Sequence, residues 1–227
     1  SSMHVALGEH PQVWLPYKKE LNFFSLHRDR GLAWYLSHFP SQRGLPHVVA
    51  GESSPTYFHK QDVEHHVHET FPDVRLILML RHPADRAFSR YHHYLRHGSE
   101  TRTLMQAIGQ EIQLLESRCE HEIRDRNGHV LGGLYCYPLR RWLSRFPREQ
   151  LLVVNFDDFV HRSQATMNTV WDFLELPQHR CEEPPHVNQG QYEIHHEQRQ
   201  LRQKLCSVLR PYNERLYELL GYDFGWD

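Results

Sequence analysis

Three short apolar runs predict buried β-strands, at residues 47–52, 74–80 and 151–156. Strands that are apolar on both faces are typical of parallel sheets covered by helices. Apolar residues recur at helical spacing in the other segments and predict helices at 2–9, 31–39, 59–70, 84–97, 103–120, 134–146, 163–175 and 193–220. This alternation of strands and helices predicts an α/β domain with a layered central sheet.

The carboxyl ends of the predicted strands carry the polar residues of interest. In open α/β sheets, ligands bind beyond the carboxyl ends of the strands. That edge of the sheet would hold Glu52, Arg81 and the residues after Phe156. We therefore expect a ligand site there.

The stretch "VRLILMLRHPADRAFSRY" (74–91) shows the sharpest change from apolar to polar residues. Arg81 ends the strand and Pro83 lies where the first helical turn begins, a position that tolerates proline. A helix N-terminus attracts anions, and a guanidinium group fits phosphate oxygens. Ser89 follows two turns later with a hydroxyl donor. An ion pair between Arg81 and Asp85 explains the same residues without a ligand, so the motif alone leaves both interpretations open.

Composition narrows the class of protein. The 227 residues suffice for one sizeable core, and 39% hydrophobic with 24% charged residues is typical of a soluble globular domain. A formal net charge of -2 argues against general binding to nucleic acid or to a membrane surface. No apolar run approaches the roughly 20 residues that span a bilayer.

Histidine and cysteine raise the question of a metal site. The chain has 20 histidines, several of them clustered, and 4 cysteines without a C-x-x-C pair. The spacings match no zinc pattern. We therefore predict no metal site, and histidine clusters on solvated helix faces.

Several blocks, in the same order along the chain, resemble sulfotransferases that use 3′-phosphoadenosine 5′-phosphosulfate (PAPS). "LRHPADRAFSRYHHY" resembles the segment that binds the 3′-phosphate of the nucleotide, and "HPQVWLPYKKELNFF" resembles the Lys-Glu-x-x-Phe-Phe segment of the heparan-sulfate-type enzymes. Further matching blocks lie at 31–40, 51–58, 133–159 and 209–227. The resemblance implies a three-layer, P-loop-like α/β fold with a central parallel sheet, in one sulfotransferase domain over residues 1–227.

The resemblance also implies roles for individual residues. Arg81 and Ser89 would hold the 3′-phosphate of PAPS, the co-substrate. Glu20 would be the general base and Lys19 its electrostatic partner, although a solvated "KKE" charge cluster is the simpler interpretation. Tyr135 would pack near the nucleotide, or serve as a core residue at a helix start. No metal is implied, because cationic side chains and helix N-termini can stabilise the transferring group.

Two departures from the family pattern shape further expectations. The family opens with a strand and a phosphate-binding loop, whereas this chain opens with "SSMHVALGEHP". Ser1 would be the last residue of that loop and a donor contact, and we expect the sequence to be N-terminally incomplete, without its first strand. Ser53 replaces a lysine of the animal glycan enzymes, and 181–204 lacks their Lys-Gly-Arg loop.

The shorter pattern is closer to bacterial members of the family. It predicts a cytoplasmic enzyme, or a Golgi-lumenal one if a missing N-terminus carries an anchor. The acceptor would be a glycan or a small metabolite.

Two other functions fit the same fold. A P-loop kinase would need an acidic Mg²⁺ ligand after a strand, for which Asp157 and Asp158 are available. A non-catalytic nucleotide-binding module would need neither that ligand nor a general base. Metal dependence separates the kinase from the sulfotransferase.

Overall fold

The computed structural model describes residues 2–39, 48–117, 123, 127–181 and 196–226. The elements in chain order are α1 (Ser2–Gly8), β1 (Val13–Trp14), α2 (Phe23–Leu26), α3 (Leu32–Leu36), β2 (Val49–Ala50), α4 (Thr56–His59), α5 (Val63–Thr70), β3 (Leu76–Leu80), α6 (Pro83–Arg96), α7 (Leu104–Glu116), α8 (Cys136–Leu143), β4 (Leu151–Asn155), α9 (Phe156–His161), α10 (Ser163–Leu174) and α11 (His196–Leu220). Short 3₁₀ turns lie at Arg28–Arg30, Leu131–Gly133 and Arg148–Gln150. The predicted α/β class is confirmed.

Contacts divide the chain into two compact units. The first comprises Ser1–Met79 and Arg145–Asn188, and the second comprises Leu80–Ser144 and Gln189–Asp227. Each unit has a hydrophobic core of its own. None of the helices in the described ranges has the length and apolar character needed to cross a bilayer.

The strands of the described residues form two pairs. β1 pairs with β2 in parallel, with Val13 opposite Val49 and Trp14 opposite Ala50. β3 pairs with β4. β1 was not predicted, because two residues are too few to show a hydrophobic period. The strand predicted at 47–52 is observed as β2 alone, and residue 47 lies outside the described residues.

The first unit packs β4, α1, α9 and α10 around Trp171, Met167 and Val170, which are fully buried. A second cluster is aromatic. Phe23 and Phe24 are 3% and 5% exposed, and the Phe23 ring stacks on Tyr35 with centroids 4.8 Å apart. These two phenylalanines are core residues.

The second unit is built from α6, α7, α8 and α11. Their apolar faces meet through residues such as Ala87, Ile108, Leu139 and Leu205, all fully buried. Trp142 is 5% exposed and belongs to the same core.

A half-buried carboxylate anchors the turn that follows α7. The carboxylate of Glu111 accepts backbone N–H groups from His129, Val130 and Leu131, each at 2.9 Å. Burying backbone donors without partners is costly, so this one side chain stabilises the start of the 3₁₀ turn at Leu131–Gly133. The turn leads directly into the "GLY" segment described below.

Candidate active site

Glu20 lies in an exposed loop of the first unit, between β1 and α2. Its side chain and that of Lys19 are both exposed. The backbone of Glu20 is left-handed, with φ 54°, and Asn22 repeats this conformation with φ 50°. Left-handed backbone is uncommon for glutamate and costs about 1–3 kcal/mol where the residue is not glycine. Two such residues within one turn require strong local contacts.

The segment after β2 supplies these contacts. The backbone N–H of Asn22 donates to Ser54 Oγ at 3.0 Å, and Thr56 Oγ1 donates to Asn22 Oδ1 at 2.6 Å. The side-chain amide of Asn22 donates in turn to the Glu20 carbonyl at 2.9 Å. Two residues further on, the backbone N–H of Phe24 donates to the Tyr57 hydroxyl at 3.3 Å. The matching blocks "KKELNFF" and "GESSPTYF" therefore meet in the structure.

Glu52 lies behind this loop. Ser54 Oγ donates to Glu52 Oε2 at 2.7 Å. Burial raises the pKa of the Glu52 carboxyl, although hydrogen bonds from Tyr57 and Ser54 oppose the change. Burial and the Glu52 charge also raise the pKa of Tyr57. The Glu52 carboxyl is thus better shielded from water than the Glu20 carboxyl.

His4 joins the same part of the first unit. It is buried, and its Nδ1 lies 3.1 Å from Ser53 Oγ. Burial lowers the pKa of His4, and the charge of Lys19 lowers it further. Ser53, where animal glycan enzymes carry lysine, is therefore engaged with a histidine that the sequence analysis overlooked. No periodic signal marks His4, since it lies on a helix of two turns.

Arg81 lies at the other candidate position, in the second unit. It follows the last residue of β3 and precedes α6, and its side chain is half-buried. His82 caps the helix, because its Nδ1 accepts the Ala84 N–H at 3.1 Å. The other ring nitrogen lies 2.9 Å from the Trp226 carbonyl oxygen. With one nitrogen accepting and the other donating, His82 is neutral in this arrangement.

Tyr135 holds the Arg81 backbone from a distant segment. Its hydroxyl donates to the Arg81 carbonyl at 3.0 Å, and the residue is 4% exposed. Gly133 allows this approach, because a Cβ there would lie 2.9 Å from Pro83 Cβ. Tyr135 is both a buried residue at a helix start and a direct contact of the predicted phosphate-binding segment.

Asp85 was the ion-pair partner of Arg81 in the interpretation without a ligand, and Ser89 and Ser1 are the remaining residues predicted to bind PAPS. Asp85 forms a bidentate ion pair with Arg202 at 2.8 and 3.2 Å. Burial alone would raise the pKa of Asp85, but Arg202 outweighs it and the pKa is lowered. Ser89 lies in α6, half-buried and about 9 Å along the helix axis from Pro83. Ser1 lies outside the described residues.

The acidic pair considered for a magnesium ion follows β4. Asp157 is exposed, and Asp158 forms an ion pair with Arg162 one helical turn later. Among the described residues, no group of three or more histidine, cysteine, aspartate or glutamate side chains could hold a metal ion.

Comparisons with known proteins identify the chain's relatives. The family described as "Sulfotransferase domain" matches residues 10–204. Human heparan sulfate glucosamine 3-O-sulfotransferase 3B1 is 26% identical over 243 residues, which cover 97% of this chain and 60% of the relative. Bifunctional heparan sulfate N-deacetylase/N-sulfotransferase 1 of Caenorhabditis elegans is 29% identical over 149 residues, 66% of this chain and 17% of the relative. The chain spans less than two thirds of each.

A solved structure gives the same result at the level of the fold. The crystal structure of a sulfotransferase from Alicyclobacillus acidocaldarius has a TM-score of 0.79 and 25% sequence identity, and the match covers 99% of this chain and 92% of that one. This match supports the predicted P-loop-like α/β fold.

The expected cytoplasmic location is contradicted by these relatives. One, the membrane-associated sulfotransferase kil1 of Dictyostelium discoideum, is 22% identical over 302 residues, 97% of this chain and 62% of the relative. Others are named for heparan sulfate. The prediction rested on the lack of a Lys-Gly-Arg loop in 181–204, and the lack of a loop does not determine the compartment.

Proposed function

The chain belongs to the sulfotransferase family, and on this premise we propose that it transfers a sulfuryl group from PAPS to a hydroxyl or amine of a glycan or small metabolite. The names of the relatives support a glycan acceptor. Family membership favours sulfuryl transfer over the kinase alternative and over a non-catalytic nucleotide-binding module.

One observation carries the proposal at the level of residues. β3 ends at Leu80, Arg81 lies between it and the N-terminus of α6, and the Arg81 carbonyl accepts a hydrogen bond from the buried Tyr135 side chain. A helix N-terminus and a guanidinium group both favour a phosphate. We assign the 3′-phosphate of the donor to Arg81 and Ser89. Tyr135 acts there by holding the Arg81 backbone. Its packing near the nucleotide and a contact between Ser1 and PAPS are further parts of the proposal.

The proposed step uses Glu20 as the base. The acceptor atom forms a bond to sulfur while the bond from sulfur to the donor's phosphate oxygen breaks, and 3′-phosphoadenosine 5′-phosphate leaves. The acceptor proton passes to the Glu20 carboxylate. Lys19, the neighbouring cation, stabilises negative charge on the transferring group.

Nucleotide binding tests the donor assignment. We expect 3′-phosphoadenosine 5′-phosphate to bind more tightly than adenosine 5′-phosphate, and Arg81→Ala to remove most of that preference. A hydrogen bond to a charged group contributes about 1.5–3 kcal/mol, so the preference should fall roughly 10- to 150-fold. Titration calorimetry measures both affinities.

Arg96→Ala is the matched control, because Arg96 is an exposed arginine at the far end of the same helix. It should leave the preference unchanged. Equal affinity of the unmodified protein for the two nucleotides would refute the donor assignment.

A further inference from the structure

We infer that Ser54 and Glu52 are positioning residues that hold the left-handed turn of Glu20 and so orient the Glu20 carboxylate. The inference rests on the proposed function in one respect only, the role of Glu20 as the base. The geometry of the turn can be tested without it.

The turn cannot be held by the side chain that it presents. Within the described part of the chain, the Glu20 carboxylate has no hydrogen-bond partner, and the side chain is exposed. Leu21 is 1% exposed and anchors the centre of the turn, but a buried leucine does not select a left-handed backbone on either side of it. The selection must come from directional contacts, and those are hydrogen bonds.

The order of donors and acceptors around Ser54 is fixed by counting protons. A serine hydroxyl has one proton to give. Because Ser54 Oγ accepts the Asn22 N–H at 3.0 Å, its own proton is directed to Glu52 Oε2 at 2.7 Å. Glu52 therefore sets the hydroxyl in the one orientation that leaves a lone pair for Asn22.

Thr56 binds the side chain of Asn22, the residue whose backbone N–H donates to Ser54. Its hydroxyl donates to Asn22 Oδ1, which leaves the amide nitrogen of Asn22 to bind the Glu20 carbonyl. Backbone and side chain of Asn22 are thus both engaged, and the contact from its amide nitrogen reaches Glu20 itself. Without the Ser54 contact, the left-handed backbone of Asn22 would lose a hydrogen bond. The Glu20 carboxylate would then no longer be held in one orientation.

Glu52 accepts hydrogen bonds from both Ser54 and Tyr57. Its burial disfavours the ionised form, so a neutral acceptor would serve stability equally well. Two roles are therefore distinguishable: a hydrogen-bond acceptor that positions Ser54, or a carrier of the acceptor proton. Glu52→Gln separates them, because glutamine keeps an acceptor oxygen but cannot take up a proton at neutral pH.

The kinetic test compares substitutions in pairs on the best acceptor from a screen of glycans, phenols and alcohols. Ser54→Ala should lower kcat about 10- to 100-fold with the KM for PAPS within about twofold, since a small misplacement of a reacting group has effects of this size. Ser54→Thr keeps the hydroxyl and should restore kcat. Glu52→Gln should behave as the unmodified protein, whereas Glu52→Leu should behave as Ser54→Ala. If Glu52→Gln loses as much kcat as Glu20→Gln, Glu52 carries the proton and the inference is wrong.

Amide hydrogen exchange gives a readout that needs no activity. Ser54→Ala should speed exchange of the Asn22 amide about two- to tenfold, the range expected for one hydrogen bond, and Ser54→Thr should not. Ser37→Ala is the control, because the Ser37 hydroxyl bonds the Trp34 carbonyl in the same unit outside this loop. Unchanged exchange in Ser54→Ala would overturn the positioning role. Absence of sulfuryl transfer by the unmodified protein would instead overturn the proposed function.

Discussion

Adding a single methyl group at Gly133 should destabilise the second unit. The Cβ of Gly133→Ala would lie 2.9 Å from Pro83 Cβ and 3.5 Å from Pro83 Cα. Pro83 is buried and its ring is rigid, so it cannot rotate away as a long side chain could. The backbone must shift, and overpacking of this kind costs about 1–3 kcal/mol. The lower entropy of the unfolded alanine chain offsets about 0.4–1 kcal/mol, which leaves a net loss of about 1–2 kcal/mol.

Gly109→Ala provides the matched control, with the opposite sign. Gly109 lies inside α7 in the same unit, and a Cβ there would meet nothing within 4 Å. Glycine in a helix interior is about 0.5–1 kcal/mol less favourable than alanine. The same chemical change should therefore stabilise the protein at Gly109 and destabilise it at Gly133.

Thermal unfolding followed by circular dichroism measures both variants. In a chain of this size, 1 kcal/mol shifts Tm by roughly 2–4 °C. We expect Gly133→Ala to lower Tm by about 2–8 °C and Gly109→Ala to raise it by about 1–4 °C. A Gly133→Ala protein with unchanged or higher Tm would refute the close approach of the "GLY" segment to Pro83.

Two further predictions concern pH and metals. Arg102, and then His129, hold the pKa of Glu100 well below its ordinary value of 4.5, so its stabilising effect is complete above pH 4.5 and is lost as the pH falls. Glu100→Gln should therefore be less stable to urea at pH 7, with a difference that shrinks in acid; a difference independent of pH would contradict the ion pair. Sulfuryl transfer should persist in a chelator, because cationic side chains stabilise the charge. Loss of turnover that Mg²⁺ or Zn²⁺ restores would favour the kinase.

The sequence predicted those elements whose signals are local. The apolar runs at 74–80 and 151–156 became β3 and β4, and the helix at 84–97 begins at Pro83 as expected. The helix predicted at 59–70 begins later, as α5 at Val63, and the short helix α4 ends at His59 before it. Asp62 separates them with φ 66°, a conformation that hydrophobic periodicity does not report.

The residues of the candidate site remain a prediction from the sequence, and the contacts around them come from the fold. Motif resemblance pointed to Glu20 and Arg81, whose side chains are exposed or half-buried. Their supports lie far away in the chain: Ser54 is 32 residues from Asn22, and Tyr135 is 54 residues from Arg81. Only the folded chain brings such segments together, so no local pattern could have shown these hydrogen bonds.

The supports in the two units share a physical logic. In each, a side chain from a distant segment bonds the backbone at or beside the candidate residue, and the functional side chain is not fully buried. Tyr135 does this for the Arg81 carbonyl, and Ser54 does it for the Asn22 amide next to the Glu20 turn. A charged group that must meet a ligand cannot be fixed by burying it, since burial would shift its pKa or require an ion-pair partner. Fixing the backbone instead separates the residues that set geometry from those that perform the chemistry. Stability should therefore depend on Tyr135 and Ser54 more than on Arg81 and Glu20.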